Sequence, residues 1–246
     1  MAMHSRSRSQ RSPLTMVLIV ILVLAALGIG YVIGTNNNDE DQGVSSGSTS
    51  STSSSLSSSS TSAPLNVDLS SAVWPFVEST TRYTDPVDAA RGFAMEFVGF
   101  VDPQIGEFRE GDSRSGEVEI RTGISEPTIV IVRKLSDDTW WVQGSATANI
   151  VVESPATGAL VTSPLALSGK ARAFEGTVDV EVRQDGSKQA LGKGFVTGSG
   201  GAQLGPFDGE IKFSNPTEQY GTLLFTTTSA EDGKINEAGA MRIRFR

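Results

Sequence analysis

The pattern of apolar and polar positions divides the sequence into four stretches. Leu14 to Ile33 is an uninterrupted apolar run, LTMVLIVILVLAALGIGYVI, without a charged residue. At 1.5 Å rise per residue, ~20 residues cover a hydrocarbon core of ~30 Å, and a helix satisfies every backbone polar group internally. The run therefore predicts a transmembrane signal anchor over residues 14–34. Residues 35–64 carry almost no apolar side chain: from Ser45 to Ser62 every residue except Gly47 and Leu56 is Ser or Thr. Such a stretch buries too little apolar surface to offset its chain entropy and is expected to be disordered. As a flexible coil its 30 residues would span about 30 Å r.m.s.. From Leu65 onward, apolar periodicities alternate with Gly, Pro, Asn and Asp, as in a globular chain.

Within residues 65–148 the first periodicity is helical. Asp85-Pro86 supplies an N-cap followed by Pro at the first helical position. Val87, Ala90, Phe93, Ala94, Phe97 and Val98 recur at helical spacing, and Gly99 is placed to end the helix in a left-handed conformation. Period-two patterns follow. Glu117 to Arg121 has Val118 and Ile120 on one face, and Thr128 to Leu135 and Thr139 to Thr147 are joined by a turn at Ser136-Asp137-Asp138. One helix on a small antiparallel sheet predicts an α+β domain.

Residues 149–246 show only the period of two. Strands are expected at Ile150–Glu153, Leu165–Ala171, Thr177–Arg183, Ala190–Val196, Phe207–Phe213, Gly221–Thr228 and Met241–Phe245. Asp185-Gly186 is a two-residue hairpin signal. Met241, Ile243 and Phe245 should face inward, with Arg242, Arg244 and Arg246 outward. Seven short strands in about 100 residues predict an all-β immunoglobulin-like sandwich.

Charge refines this picture. The chain of 246 residues has a formal net charge of −8, no cysteine and one histidine, His4. Residues 1–13 carry Arg6, Arg8 and Arg11 and no acid; with no basic residue close behind the apolar run, they predict a cytoplasmic basic tail and an extracytoplasmic remainder. The rival is a cleaved signal peptide, but the run exceeds the usual h-region and Gly28-Ile29-Gly30 is a poor cleavage site. Gly30 and Gly34 have the spacing that lets membrane helices approach closely, a route to weak dimerisation; glycines that merely fray the outer helix end are the competing reading. Residues 65–148 hold 14 acids and 7 bases, whereas 149–246 are nearly neutral. Net acidity disfavours nucleic acid as a partner.

Chemistry is scarce. Without cysteine, no disulfide, thiolate nucleophile or cysteine-held metal can form. Gly111-Asp112-Ser113 resembles a serine-protease surrounding, but that mechanism needs a histidine beside the serine, so Gly111 to Gly116 reads as a polar loop feeding the strand at Glu117. Glu107, Glu110, Asp112, Glu117 and Glu119 could pair as catalytic carboxylates, a reading cheap in any acidic domain. No calcium loop is present, and the glycines from Gly192 to Gly205 precede no helix that could hold phosphate. No cofactor is implied, and an enzyme is not expected. Trp140 and Trp141 point to opposite faces of their strand; one should enter the core, and the other either packs under the helix or against the second domain, which is the expected reading, or is exposed, where it would suit sugar stacking or a protein contact.

One constellation resembles a known family. Ser154-Pro155, Val161-Thr162-Ser163-Pro164-Leu165, Ser168-Gly169-Lys170-Ala171, Phe174-Glu175-Gly176, Gly205-Pro206-Phe207, Gly221 and Asp232-Gly233 follow in the order and spacing of the bacterial spore germination immunoglobulin-like domain. The resemblance covers Ile150 to Phe245, about 40% of the chain, and implies a non-catalytic, extracytoplasmic module. Residues 65–148 resemble the segment that precedes this domain in some actinobacterial surface proteins. Glu175 belongs to the resemblance; as a turn, its motif would use Phe174 to anchor the core, Glu175 to cap amides and Gly176 at positive φ. The whole sequence thus predicts a single-pass membrane protein whose extracytoplasmic part binds envelope proteins, or alternatively cell-wall glycan, with Trp140, Trp141 and Glu175 as the candidate surface.

Overall fold

The computed structural model describes Asp68 and residues 70–246. The expected cytoplasmic tail, the anchor from Leu14 to Ile33, the Gly30–Gly34 pair and the Ser/Thr tether lie outside the described residues. Among those described, no helix is long and apolar enough to cross a membrane.

The helical periodicity is realised as α1, Pro86–Gly92, continued by a π-helical turn Phe93–Val98. Asp85 caps it as expected, its carboxylate accepting from the amides of Val87 and Asp88, a contact worth about 1 kcal/mol. Gly99 ends it at φ +93°. The wider last turn is closed by the amides of Gly99 and Phe100, which both donate to the Ala94 carbonyl.

Four antiparallel strands follow: β1 Gln104–Asp112, β2 Ser115–Arg121, β3 Thr128–Lys134 and β4 Trp140–Thr147. Strand β1 has no counterpart in the sequence reading. Its pattern is mostly exposed, with four charged residues, because it is an edge strand, and only Ile105 and Phe108 pack inward. The expected polar loop at Gly111–Gly116 is instead a tight hairpin, with Asp112 paired to Ser115. The turn at Ser136-Asp137-Asp138 is as expected, and the Asp137 carboxylate accepts from Thr139.

The remaining strands are β5 Ile150–Ser154, β6 Leu160–Val161, β7 Leu165–Ala171, β8 Thr177–Gln184, β9 Ala190–Thr197, β10 Gly205–Ile211, β11 Tyr220–Thr228 and β12 Ile235–Phe245. β5, β7 and β10 form one layer; β12, β11, β8 and β9 form the other. β6 joins β12 in parallel. This order is that of an immunoglobulin-like sandwich. Its core interleaves Leu165, Leu167, Phe207 and Ile211 from one layer with Val178, Val180, Leu223, Phe225 and Ile243 from the other. Asp185-Gly186 opens a longer turn than the two residues expected, because β9 begins only at Ala190.

Strand β4 forks. Ser145 pairs with Ala240 of β12, and Thr147 pairs with Ile150 of β5. The first sheet therefore runs on into the sandwich as β1-β2-β3-β4-β12-β11-β8-β9, and Asn66–Arg246 form one compact unit. Gly144 permits the junction: a Cβ there would lie 2.5 Å from the Ala240 carbonyl oxygen. The helix and its π turn cover this extended face, packing Phe93 and Phe97 in one core with Val118, Val130, Val142, Leu224 and Ala240. The helix end is tied across the sheet by Arg183 of β8, which donates to the Phe97 carbonyl at 2.6 Å and lies 4.9 Å above its ring. That carbonyl belongs to the last helical turn, which lacks intrahelical partners.

Strands β11 and β12 are in consequence covered on both sides, with Leu223 facing the sandwich core and Leu224 facing the helix. This corrects the expectation of three outward arginines at the C-terminus. Arg244 and Arg246 are exposed, but Arg242 is only 2% exposed.

Candidate functional site

Each tryptophan named as a surface candidate is inside. Trp141 has 0% exposure and packs with Ala72 and Leu135, and its indole nitrogen donates to Thr139 Oγ1 at 2.8 Å. Trp140 faces the opposite side, beneath the helix, edge-on to Phe108. The alternation separates the two rings as expected, and the second ring takes the packed alternative: Trp140 lies under the helix, while Ala72, in the segment before α1, packs on Trp141. That segment is bridged to β4 by Trp74 with Val142 and Tyr83 with Trp140. Trp74 is buried as well. A ring free to stack on a sugar is thus absent among the described tryptophans.

The candidate carboxylates lie along the paired strands β1 and β2. Glu119 is held by Arg109 at 3.0 Å and by Arg121 at 2.5 Å. Glu117, on the same face of β2, is pushed up by partial burial, against the pull of Arg109. Asp112 is held below its usual range chiefly by the Arg114 amide. No group of three potential metal-ligating side chains occurs among the described residues.

Glu175 does lie beside a site. Phe174–Gly176 form a short 3-10 turn after β7, with Glu175 at φ +53° and Gly176 at φ +77°. Gly176 behaves as expected. Phe174 does not anchor the core; its ring is 62% exposed. The turn is fixed from below instead: the Ala173 amide donates to the Ser199 carbonyl at 3.0 Å and the Gly198 amide to the Gly176 carbonyl at 2.8 Å.

Beside this turn opens a cleft of about 300 Å³, lined by Asn149, Arg172, Phe174, Thr227, Asn236 and Glu237 among others. One wall is the turn and the Gly200-Gly201 backbone; the other is the paired ends of β11 and β12. The β2–β3 hairpin reaches the same place. Its Ser125 hydroxyl accepts from Asn236 Nδ2 at 2.9 Å, and Glu126 lies 4.0 Å from Arg172. Ile124, next to Ser125 at the hairpin tip, is fully exposed.

Glu237 is the unusual member. It is 5% exposed, yet it is a carboxylate. Thr147 Oγ1 donates to Oε2 at 2.6 Å and Asn149 Nδ2 donates to Oε1 at 2.9 Å. Burial pushes its carboxyl above the ordinary range, Glu126 adds in the same direction, and the two hydrogen bonds and the Arg172 charge only partly compensate. Arg172 is itself engaged, donating to the Ala202 carbonyl at 2.9 Å.

Sequence reading missed this carboxylate. Glu237 stands in a stretch assigned to no strand, and its partners Thr147 and Asn149 are some ninety positions away. The only local sign was an acid in the run that leads into Met241–Phe245.

The immunoglobulin-like strand order and the positive φ of Gly176 agree with the resemblance read from the sequence. Residues 149–234 match the immunoglobulin-like domain of bacterial spore germination. That domain is not a known catalytic family. The match includes Asn149, Arg172, Phe174 and Thr227 of the cleft and stops short of Asn236 and Glu237; Glu126 and Thr147 precede it. The cleft is thus built jointly by the matched domain and by the rest of this chain. A search of the curated proteins found no match, and a search of the solved structures found none.

Proposed function

We propose that the chain is a membrane-anchored, extracytoplasmic, non-catalytic protein that docks envelope proteins through the cleft-bearing end of its immunoglobulin-like domain. The observation that carries this reading is the exposure of Phe174 and Ile124 on two loops that meet around one polar cleft. Protein contacts favour apolar anchors surrounded by polar groups, and loops held by a rigid sandwich are where immunoglobulin-type folds carry recognition. The apolar run at Leu14–Ile33 and the Ser/Thr tether supply the anchor and the reach.

The test has two arms. Protease added to cells with a permeable outer layer should cut within residues 35–64 and release the folded part; full protection would overturn the outward orientation. In-cell crosslinking of the full-length protein should then yield envelope proteins that are lost from the Phe174→Ser, Ile124→Ser double variant. Identical crosslinking by wild type and variant would overturn the docking site.

A further inference from the structure

We propose that the cleft receives a lysine side chain of the docked protein, with the ammonium group beside Glu237 and the aliphatic stem along Phe174. The inference deepens the docking reading and rests on it for the location.

The argument starts from charge. An ionised carboxylate offers about four acceptor positions, and Glu237 uses two of them, for Thr147 and Asn149. Both donors are neutral. Among the described residues no cation is in ion-pair range of Glu237: Arg172 is turned to the Ala202 carbonyl and to Glu126. A nearly buried carboxylate without a counter-charge is expensive unless it is protonated or paired. When Glu237 is ionised, a cation entering the cleft would supply the counter-charge that its two neutral donors do not. Glu126 adds a second negative charge near the same opening, so that Glu126, Glu237 and Arg172 together sum to −1.

Size and surroundings select the kind of cation. A volume of about 300 Å³ accepts a side chain rather than a folded segment. Thr227 and Asn236, whose side chains are hydrogen-bonded to each other, line the cleft beside Glu237 and make its wall polar. One acceptor position remains on each Glu237 oxygen, which suits the compact point charge of an ammonium, whereas the bidentate approach at which a guanidinium gains most is already partly taken up. The exposed ring of Phe174 offers a surface for a four-carbon stem and a π face for the charge.

The probe is Nα-acetyl-lysine methylamide, set against its Nε-acetylated counterpart, with the full-length protein in uncharged detergent micelles. Saturation-transfer difference NMR should show saturable binding of the lysine probe, with its ε-methylene protons most strongly affected, and at least roughly tenfold weaker binding of the neutral one. Glu237→Gln should remove that preference, and Phe174→Ser, on an exposed turn, should weaken lysine binding without disturbing the fold. Equal binding of the two probes, no saturable binding, or a preference that survives Glu237→Gln would overturn the inference. Crosslinked partners that still depend on Phe174 and Ile124 while the lysine probe fails would remove this inference and leave the docking reading standing.

Discussion

Arg242 and Asp185 form a two-pronged ion pair, the guanidinium of β12 meeting the carboxylate at the end of β8 at 2.5 and 2.6 Å. The arginine also lies 5.1 Å above the Tyr220 ring. A planar fork on a carboxylate is the strong form of ion pair, and here the cation is almost wholly buried. Removing the acid should leave a buried charge short of its carboxylate. Asp185→Asn is expected to cost roughly 3 kcal/mol of unfolding free energy by urea denaturation; a cost near that of a surface pair, under about 1 kcal/mol, would contradict the arrangement.

The junction of the two sheet halves depends on Gly144. Gly144→Ala should force β4 from β12, since the new Cβ would sit against the Ala240 carbonyl. The expected loss is roughly 2 kcal/mol, with faster amide exchange along β12. Gly239→Ala on the facing strand is the control, because its Cβ would meet Ser145 only at 3.9 Å. That substitution should be neutral or slightly stabilising. Equal losses in both variants would mean that glycine flexibility, and not close approach, governs the junction.

Much of this fold is legible in the sequence where one side of an element faces solvent. Asp85 and Gly99 bracket the helix as their capping chemistry predicts, and Val178, Val180 and Val182 mark the inward face of β8. Legibility fails where a second layer covers the other face. Arg242 alternates with Met241 and Ile243 as an outward residue should, but period two says only that faces alternate, not that a helix from the preceding segment will cover one of them. It fails again at β1, whose charges suit an edge strand and so resemble a loop. The cleft could not be read at all, because Glu126, Asn149, Arg172 and Glu237 meet only through the fork at β4.

The burial of Trp74, Trp140 and Trp141 makes a prediction for the whole chain, since these are its three tryptophans. Native fluorescence should be blue-shifted and weakly quenched by acrylamide, and both properties should change together on unfolding. A readily quenched native population would show an exposed ring and return the glycan-stacking reading to consideration.

Glu237 sets a specific pH dependence. Its carboxyl is raised in the folded state from an ordinary value of 4.5, chiefly by burial. Between the unfolded and the raised folded value, the native chain holds a proton that the unfolded chain has released. Stability from this group is therefore full below about 4.5 and is lost as pH rises through that window. Glu237→Gln, which stays neutral at every pH, should lose none of it. The stability of the variant relative to wild type should rise as pH increases from 4 to neutrality. Glu117, raised in the same direction by its own burial, is common to both proteins and cancels in that difference. Urea denaturation of both proteins across this range measures the trend. A flat difference would show that Thr147 and Asn149 hold the carboxylate as comfortably as water does, and the opposite slope would mean that they hold it more tightly.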